Sequence, residues 1–513
     1  MLVLIFLAAS ACQKEPVRWD SDLLVPVLHS RLDVWDMFGD SNMVEDPDQK
    51  VTLLFEEDLD LLDPDKVVEV HDTLSKELFN IPLYLQYAPG QQLIDKQNSV
   101  VMDLGEMELD VVNARIAVMK FYVTNSIRQP LRVRYEMLSS DKDGKTFVTY
   151  EDVPAATASG PSYSVKTINL DGYTINMTGV SGNEVNTVVS RTQVWLHPDA
   201  DSIWITPQDS VFIVSTFDEL KVEYVHGYFG RQDYNDKGSS AFELFSSIKS
   251  GTFDLAHING KLNITNFTGM DLQLSMDKIS AYRNADQKEV LLNDPIVGQT
   301  INISRAVEKS YGLDHVIPAT VSFTLDQSNL DELIEMQPDS LRFVMSGKLN
   351  PMGNISGGND FMYFDKSIIA TFGLEIPLNL SINNLLIEDT AELDIQDTED
   401  LKSGAFYMYV DNMFPFDLKL QLYLTDQSGQ IVDSLLAGQT EVSSAQIDQN
   451  GFAISPSKNM LKIPLTAEKI ALLHKYKDIL IRARVNSYQN KQYQIYQNYY
   501  MDIRVVADVK YEL

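Results

Sequence analysis

Cys12 is the only thiol among 513 residues. A thiolate can attack a carbonyl, ligate a metal or accept an acyl group. The seven histidines (His29, His71, His197, His226, His257, His315, His474) are scattered singly, with no HExxH or CxxC spacing that would set metal ligands on one face. No GxSxG elbow or glycine-rich phosphate loop occurs, so no catalytic and no metal-ligating residue is assigned. Paired carboxylates leave no local signature, which keeps a carboxylate-based hydrolase open as an alternative. "DKDG" at 141–144 lacks the downstream glutamate of a calcium loop and reads as a hairpin tip. Glu56, Glu57, Asp58, Asp60, Asp63 and Asp65 read as a solvated acidic face. In "KQYQIYQNYYMD" at 491–502, a strand would turn Tyr493, Ile495 and Tyr499 inward. Gln494, Tyr496, Asn498 and Tyr500 would then form an outward polar and aromatic face, able to stack a sugar or anchor a protein.

Residues 2–9, LVLIFLAA, are a short apolar run ahead of Ser10 and Ala11, the layout of a secretory signal ending at a cleavage site. The run is shorter than the roughly 20 apolar residues that span a bilayer. Residues 7–12, LAASAC, resemble a bacterial lipobox. That resemblance implies a signal peptide over 1–11, cleavage before Cys12, and diacylglycerol and acyl chains on its sulfur and new amino terminus. Position 9 is Ala where leucine is more common, and no basic residue opens the signal. In an oxidising compartment a lone thiol is a liability unless something consumes it, and acylation does so. No other cofactor is expected.

About 500 residues remain after cleavage, more than one core usually organises. At 44% hydrophobic the chain can bury several cores. Its 41 basic and 73 acidic side chains give a formal charge of −32, which excludes nucleic acid as the main partner.

Three segments repeat: "YVTNSIRQPLRVRYEM" at 122–137, "NITNFTGMDLQLSM" at 263–276 and "YVDNMFPFDLKLQLYL" at 409–424. Asn125, Asn266 and Asn412 stand 141 and 146 residues apart, the length of a domain. Each is followed by Pro130, Asp271 or Asp417 and then a run that alternates apolar and polar. Period two means a strand with one dry face, and the asparagine with its Pro or Asp reads as a structural turn. "SSDKDGKTF" (139–147) and "TDQSGQIV" (425–432) are then hairpin tips. Short helices are expected within 323–334 and 463–474, with Ser328 and Thr466 as caps; the first copy lacks a clear equivalent.

The repeat resembles the late embryogenesis abundant type 2 (WHy-like) domain, which implies a seven-stranded sandwich and carries no function. The start of the mature chain, "VRWDSDLLVPVLHSRLDVWDMFGDS", with the three-copy layout, is similar to a group of outer-membrane lipoproteins of Bacteroidota. For these the resemblance implies envelope location. Acidic residues after the cysteine often mark surface export in that group, and only Glu15 is present, which leaves the periplasmic face and the cell surface both open.

The expected architecture is all-β: three tandem Ig-like, LEA2-like β-sandwich repeats with short helices. The signal covers 1–11, a tether with a hairpin about "VEDPDQKV" covers 12–65, and the repeats cover 66–235, 236–355 and 356–513. "GRQDYNDKGSS" (230–240) and "NPMGNISGGND" (350–360) read as linkers. Trp19 and Trp35 read as a small core of the N-terminal piece. The expected function is a non-enzymatic binding or assembly subunit held to the outer membrane by Cys12, with an envelope protein as partner. A glycan-binding lipoprotein, with Tyr496 and Tyr500 at the site, and apolar-ligand carriage between sandwich sheets are the other readings.

Overall fold

The computed structural model describes residues 20–34, 43–45, 47–68, 74–80, 84–242, 244, 248–392 and 401–512. The signal, Cys12, Trp19 and Trp35 lie outside them. The chain is all-β, with every long strand pairing antiparallel.

The local device that builds it is the buried asparagine. In each repeat the asparagine ends one strand, and the alternating run that follows belongs to the opposite sheet. Strands Glu108–Asn125 and Leu131–Lys142, Asn259–Asn266 and Leu272–Arg283, and Leu401–Asn412 and Phe416–Thr425 are the three such pairs. The amide Nδ2 of Asn125 donates to the carbonyls of Gln129 (3.0 Å) and Pro154 (2.8 Å), and its Oδ1 accepts from Ile127 N–H (2.8 Å). Asn266 does the same with Met270, Ser304 and Thr268, and Asn412 with Phe416, Ser443 and Phe414. All three asparagines are fully buried. Asp271 and Asp417 add a carboxylate that accepts the next backbone N–H along, just past a later strand, from Arg305 (3.1 Å) and Ser444 (2.8 Å). Pro130 cannot, and that bond has no counterpart in the first corner.

Around each corner the same strand order recurs. One sheet runs Leu74–Asn80, Ser210–Tyr228, Glu108–Asn125, Ser162–Asn169. Its counterparts run Val51–Asp60, Ile368–Pro377, Asn259–Asn266, Ala319–Thr324 and Asp20–Asp33, Tyr500–Glu512, Leu401–Asn412, Ser457–Leu465. The opposing sheets run Gln92–Val101, Thr187–Leu196, Leu131–Lys142; Gln232–Ala241, Ser340–Leu349, Leu272–Arg283; and Asn379–Glu392, Asp478–Ser487, Phe416–Thr425.

The first strand of each set comes from the N-terminal segment. Asp20–Asp33 pairs in the third sandwich, Val51–Asp60 in the second and Leu74–Asn80 in the first, so residues 20–80 run past all three in reverse order. The segment expected as a tether thus supplies edge strands, together with the hairpin Met43–Glu45 and Val51–Leu53. Two later strands also cross. Ile248–Leu255 joins Asn379–Glu392 in the third sandwich, and Asp360–Tyr363 joins the far end of Ser210–Tyr228 in the first. Backbone pairing therefore does not follow the expected boundaries at 65, 235 and 355.

The stretch 230–240, expected as a linker, is largely strand Gln232–Ala241. Its glycine and polar content misleads because aromatic rings from across the pair cover the glycines: Phe343 lies over Gly238, and Tyr234 lies over Gly347. Helices form at Leu330–Glu335 and Ala467–Leu473. Thr466 caps the second by accepting from Lys469 N–H (3.2 Å). Ser328 does not cap the first, because its hydroxyl donates to the Leu325 carbonyl (2.6 Å) and Asn329 takes the capping position. In the first sandwich the short strand Thr174–Asn176 occupies that place and bonds both sheets.

Asn266→Ala would leave two buried carbonyls and one N–H without their partner. At about 1–3 kcal/mol per unpaired group, urea titration is expected to show a loss of about 3 kcal/mol or more. The same change at Asn125 or Asn412 should cost as much.

Candidate functional site

The third sandwich encloses an apolar cavity of 530 Å³. Its floor is the inner face of the Asn379–Glu392, Asp478–Ser487 and Phe416–Thr425 sheet, where alternation turns Leu380, Ile382, Ala483 and Leu420 inward. Phe253 and Leu255, on the crossing strand Ile248–Leu255, extend this floor by one strand. The facing sheet has four strands and ends at Asp20–Asp33, so its contribution is Leu32 and Val34 with Met501 beside them. The cavity lies where the wider sheet outruns the narrower one.

The two charged residues of the strands that wall it, Glu388 and Arg31, are turned by the pleat to the outer faces of the two sheets. Glu388 is neutralised by Arg482, whose Nε donates to it at 2.6 Å. Arg31 lies with its guanidinium 4.2 Å from the centroid of the Tyr500 ring. Stacking on an aromatic face holds the cation while leaving its in-plane N–H donors at the edge.

The tyrosine-rich segment does not form one strand. Tyr493–Gln494 is a two-residue strand beside Asn379–Leu380, and a turn separates it from Tyr500–Glu512. Tyr493, Ile495 and Tyr499 are buried, as alternation predicts. Tyr496 is half-buried against Phe452 (4.7 Å) and Tyr499 (5.5 Å), while Tyr500 sits beneath Arg31. Gln494 donates to the carbonyls of Leu378 and Ile495, and Asn498 is exposed in the turn. The reason is competition for backbone partners: Ile495, Tyr496 and Gln497 bond to residues 49–51 of the N-terminal segment. The flat face expected of Gln494, Tyr496, Asn498 and Tyr500 is therefore not assembled. Ile495 and Met501 instead border the cavity.

Four of the six acidic candidates have structural partners. Asp65 makes a two-oxygen ion pair with Arg115 (3.0 Å), Asp63 caps the turn at Pro64–Val67, Glu57 accepts from Ser240 and Asp58 from Thr371. Asp143 and Gly144 take left-handed backbone at the tip of the hairpin joining Leu131–Lys142 to Lys145–Val153. Among the described residues no group of three or more His, Cys, Asp or Glu could hold a metal ion. A polar cleft does bring Asp286 and Asp339 together. Arg283 grips Asp286 at 2.7 and 2.9 Å and holds its carboxyl down at about 2, which makes it an acceptor and not a proton donor.

Between the first and second sandwiches Glu308 accepts from both the Tyr224 hydroxyl (3.0 Å) and the Tyr363 hydroxyl. His226 bonds Asp110 (2.7 Å), whose carboxylate pushes the imidazole pKa up. Tyr224 and Tyr363 belong to different sandwiches and pair across the crossing strand, so this is a joint.

No protein-family model matches the sequence, and no curated protein matches it. Among solved structures, 54% of this chain is similar to 88% of a secreted-protein candidate from Parabacteroides distasonis, at 13% identity and a TM-score of 0.27. A turret protein of an archaeal virus, described as a triple jelly roll, is similar over 86% of this chain and 90% of its own, at 12% identity and a TM-score of 0.11. Neither likeness is close enough to carry fold or function. Among the described residues no helix is long and apolar enough to cross a membrane.

Sequence reasoning passed over the apolar floor. Only the small Ala483 among branched neighbours hints at space.

Glu77, on the edge strand Leu74–Asn80, carries the clearest pH signature. Burial pushes its carboxyl above the ordinary 4.5, and Asn98 and Lys96 offset only part of that. The unfolded chain therefore loses this proton first, and stability falls as pH rises from 4.5 through the raised value. Glu77→Gln is expected to raise the melting midpoint at pH 7, with the difference vanishing below about pH 4.5.

Proposed function

We propose that this is an exported, lipid-anchored protein of the outer membrane acting as a non-enzymatic binding or assembly subunit. The observation that carries this reading is the N-terminal segment, which lays one edge strand on each of the three sandwiches. Flexibly linked domains would reorient freely, whereas continuous backbone ladders fix where each sandwich presents its surface. Fixed spacing is what a scaffold needs. The strands Ile248–Leu255 and Asp360–Tyr363 reinforce it.

The anchor would give the assembly a direction. Acylated Cys12 would stand eight residues before Asp20, a span of at most about 28 Å. Asp20 pairs with Glu512 at the edge of the third sandwich. That sandwich is then nearest the membrane, and the first reaches outward. Two or more acyl chains, at roughly 0.8 kcal/mol per buried CH₂, make such anchoring stable.

Two experiments test this. Metabolic palmitate labelling with membrane fractionation should show label and membrane association in the native chain and neither in Cys12→Ser; an unlabelled, soluble native chain would refute the anchor. Cross-linking of the acylated protein in intact cells should capture one envelope protein at constant stoichiometry, through surfaces of the first or second sandwich. Recovery of polysaccharide alone would favour glycan binding over assembly.

A further inference from the structure

In the first sandwich, the sheet of Gln92–Val101, Thr187–Leu196, Leu131–Lys142 and Lys145–Val153 carries a hydrogen-bonded layer of planar side chains on its outer face. The register sets Tyr150, Arg134, Gln193 and Asp95 in one row across the four strands. Arg134 donates to the side-chain oxygen of Gln193 at 2.9 Å, and the Gln193 amide donates to Asp95 at 3.0 Å. Asp152, Arg132 and Trp195 form the row on one side, Glu136 and Arg191 the row on the other. Arg132 grips Asp152 through two nitrogens, Arg191 grips Asp95 in the same way, and Arg134 donates to Glu136 at 2.7 Å. The residues between them along the strands, Val133, Tyr135, Thr192 and Val194, are buried in the core, so the pleat turns the whole layer to solvent.

Charge limits what this face can hold. Three guanidiniums meet three carboxylates, which makes the layer electrically balanced in a chain of formal charge −32. Covering it with a protein would desolvate all three pairs, and charged residues are depleted at the centres of protein interfaces. Sugar hydroxyls, which both donate and accept, can replace water at the remaining lone pairs and N–H groups without separating any pair. The side chains are already fixed by their mutual bonds, so a ligand pays little ordering entropy there. Two rings flank the layer: Trp195 is half-buried between Arg132 and Gln92, and Tyr150 is exposed on the outermost strand. Two strand spacings and one pleat apart, their backbone positions are separated by roughly 12 Å, room for several sugar rings. The other sandwiches lack the arrangement. Counted from the corner asparagine, the matching row of the second is Thr300, Ser275, Ser346 and Asn235, with no ring and no charge. In the third, Gln421 takes the place of Arg134 and is buried, bonded to Ser434 and Leu436.

We propose that this outer face of the first sandwich binds a neutral polysaccharide of equatorially linked pyranoses. Such a chain is an extended ribbon, which lies flat on a sheet, sets its C–H faces on Trp195 and Tyr150 and turns its hydroxyls to Arg134, Gln193 and Asp95. A polar and aromatic face, which residues 491–502 do not form, is thus assembled on other strands. The site goes beyond the scaffold reading and depends on neither the anchor nor the envelope partner.

The test is calorimetric titration of the full mature chain carrying Cys12→Ser. Cellohexaose, mannohexaose and xylohexaose serve as ribbon probes, maltohexaose as a probe whose axial linkages coil the chain, and hexagalacturonate as a charged one. Saturable binding of at least one ribbon probe, at one site per chain and unchanged by added salt, is expected, with maltohexaose and hexagalacturonate weaker by about tenfold or more. Tyr150→Ala and Trp195→Ala should each weaken the ribbon probe about tenfold. Gln193→Ala should weaken it with the melting midpoint held. Should Trp195→Ala fail to fold, the exposed Tyr150→Ala and Gln193→Ala decide the site. Absence of saturable binding by every ribbon probe overturns the proposal, as does binding that survives these changes in a folded protein. Preference for maltohexaose overturns the ribbon assignment, and salt-sensitive preference for hexagalacturonate overturns the neutral one. Any of these failures leaves the scaffold reading, which rests on capture of an envelope protein, standing.

Discussion

Each sandwich depends on one buried asparagine amide. A strand that leaves one sheet for the other must break its ladder, and the backbone groups at the break have no water to turn to. The carboxamide is the side chain that presents two donors and an acceptor from one short stem. Asn125, Asn266 and Asn412 use all three in the same way, holding the corner carbonyl, a carbonyl just past the end of a later strand and the N–H two residues on. Because that later strand follows the corner by tens of residues, the amide fixes tertiary contacts as well as a turn. An aspartate would lack the donors, and a serine would lack the reach and the second donor.

Once the corners set three equivalent sandwiches, their open edges must be covered, since an unpaired edge invites association with another chain. The N-terminal segment meets that need three times over. One stretch of chain thereby links sandwiches hundreds of residues apart, at the cost of high contact order and slow folding. The third sandwich differs because it receives a further strand, Ile248–Leu255, on its other sheet. Unequal sheet widths leave the cavity, so the most ligand-like feature of the molecule is a consequence of how the domains are stitched.

Charge follows a similar logic. The arginines are committed to carboxylates or rings: Arg115 to Asp65 and Phe364, Arg191 to Asp95, Arg283 to Asp286. In a chain of formal charge −32 each such pairing leaves most acids to the solvent, and the exterior stays strongly acidic. Arg31, stacked on Tyr500 and opposite Asp502 in the ladder, follows the same rule.

Period-two alternation determined by itself that the runs after the three corner asparagines are strands and which of their faces is dry. The spacing of Asn125, Asn266 and Asn412 marked the corners, and "TAEKIALL" marked a capped helix. These signals are legible because they arise from side chains acting on their near neighbours. Only the tertiary structure decided which strands pair. The ladder is made by backbone N–H and C=O groups, which are alike at nearly every residue, so Asp20–Asp33 carries no mark directing it to Tyr500–Glu512. The same blindness placed 491–502 against residues 49–51 instead of in one flat strand. It also hid the cavity, whose walls come from strands at both ends of the chain and from one that crosses over from the second sandwich.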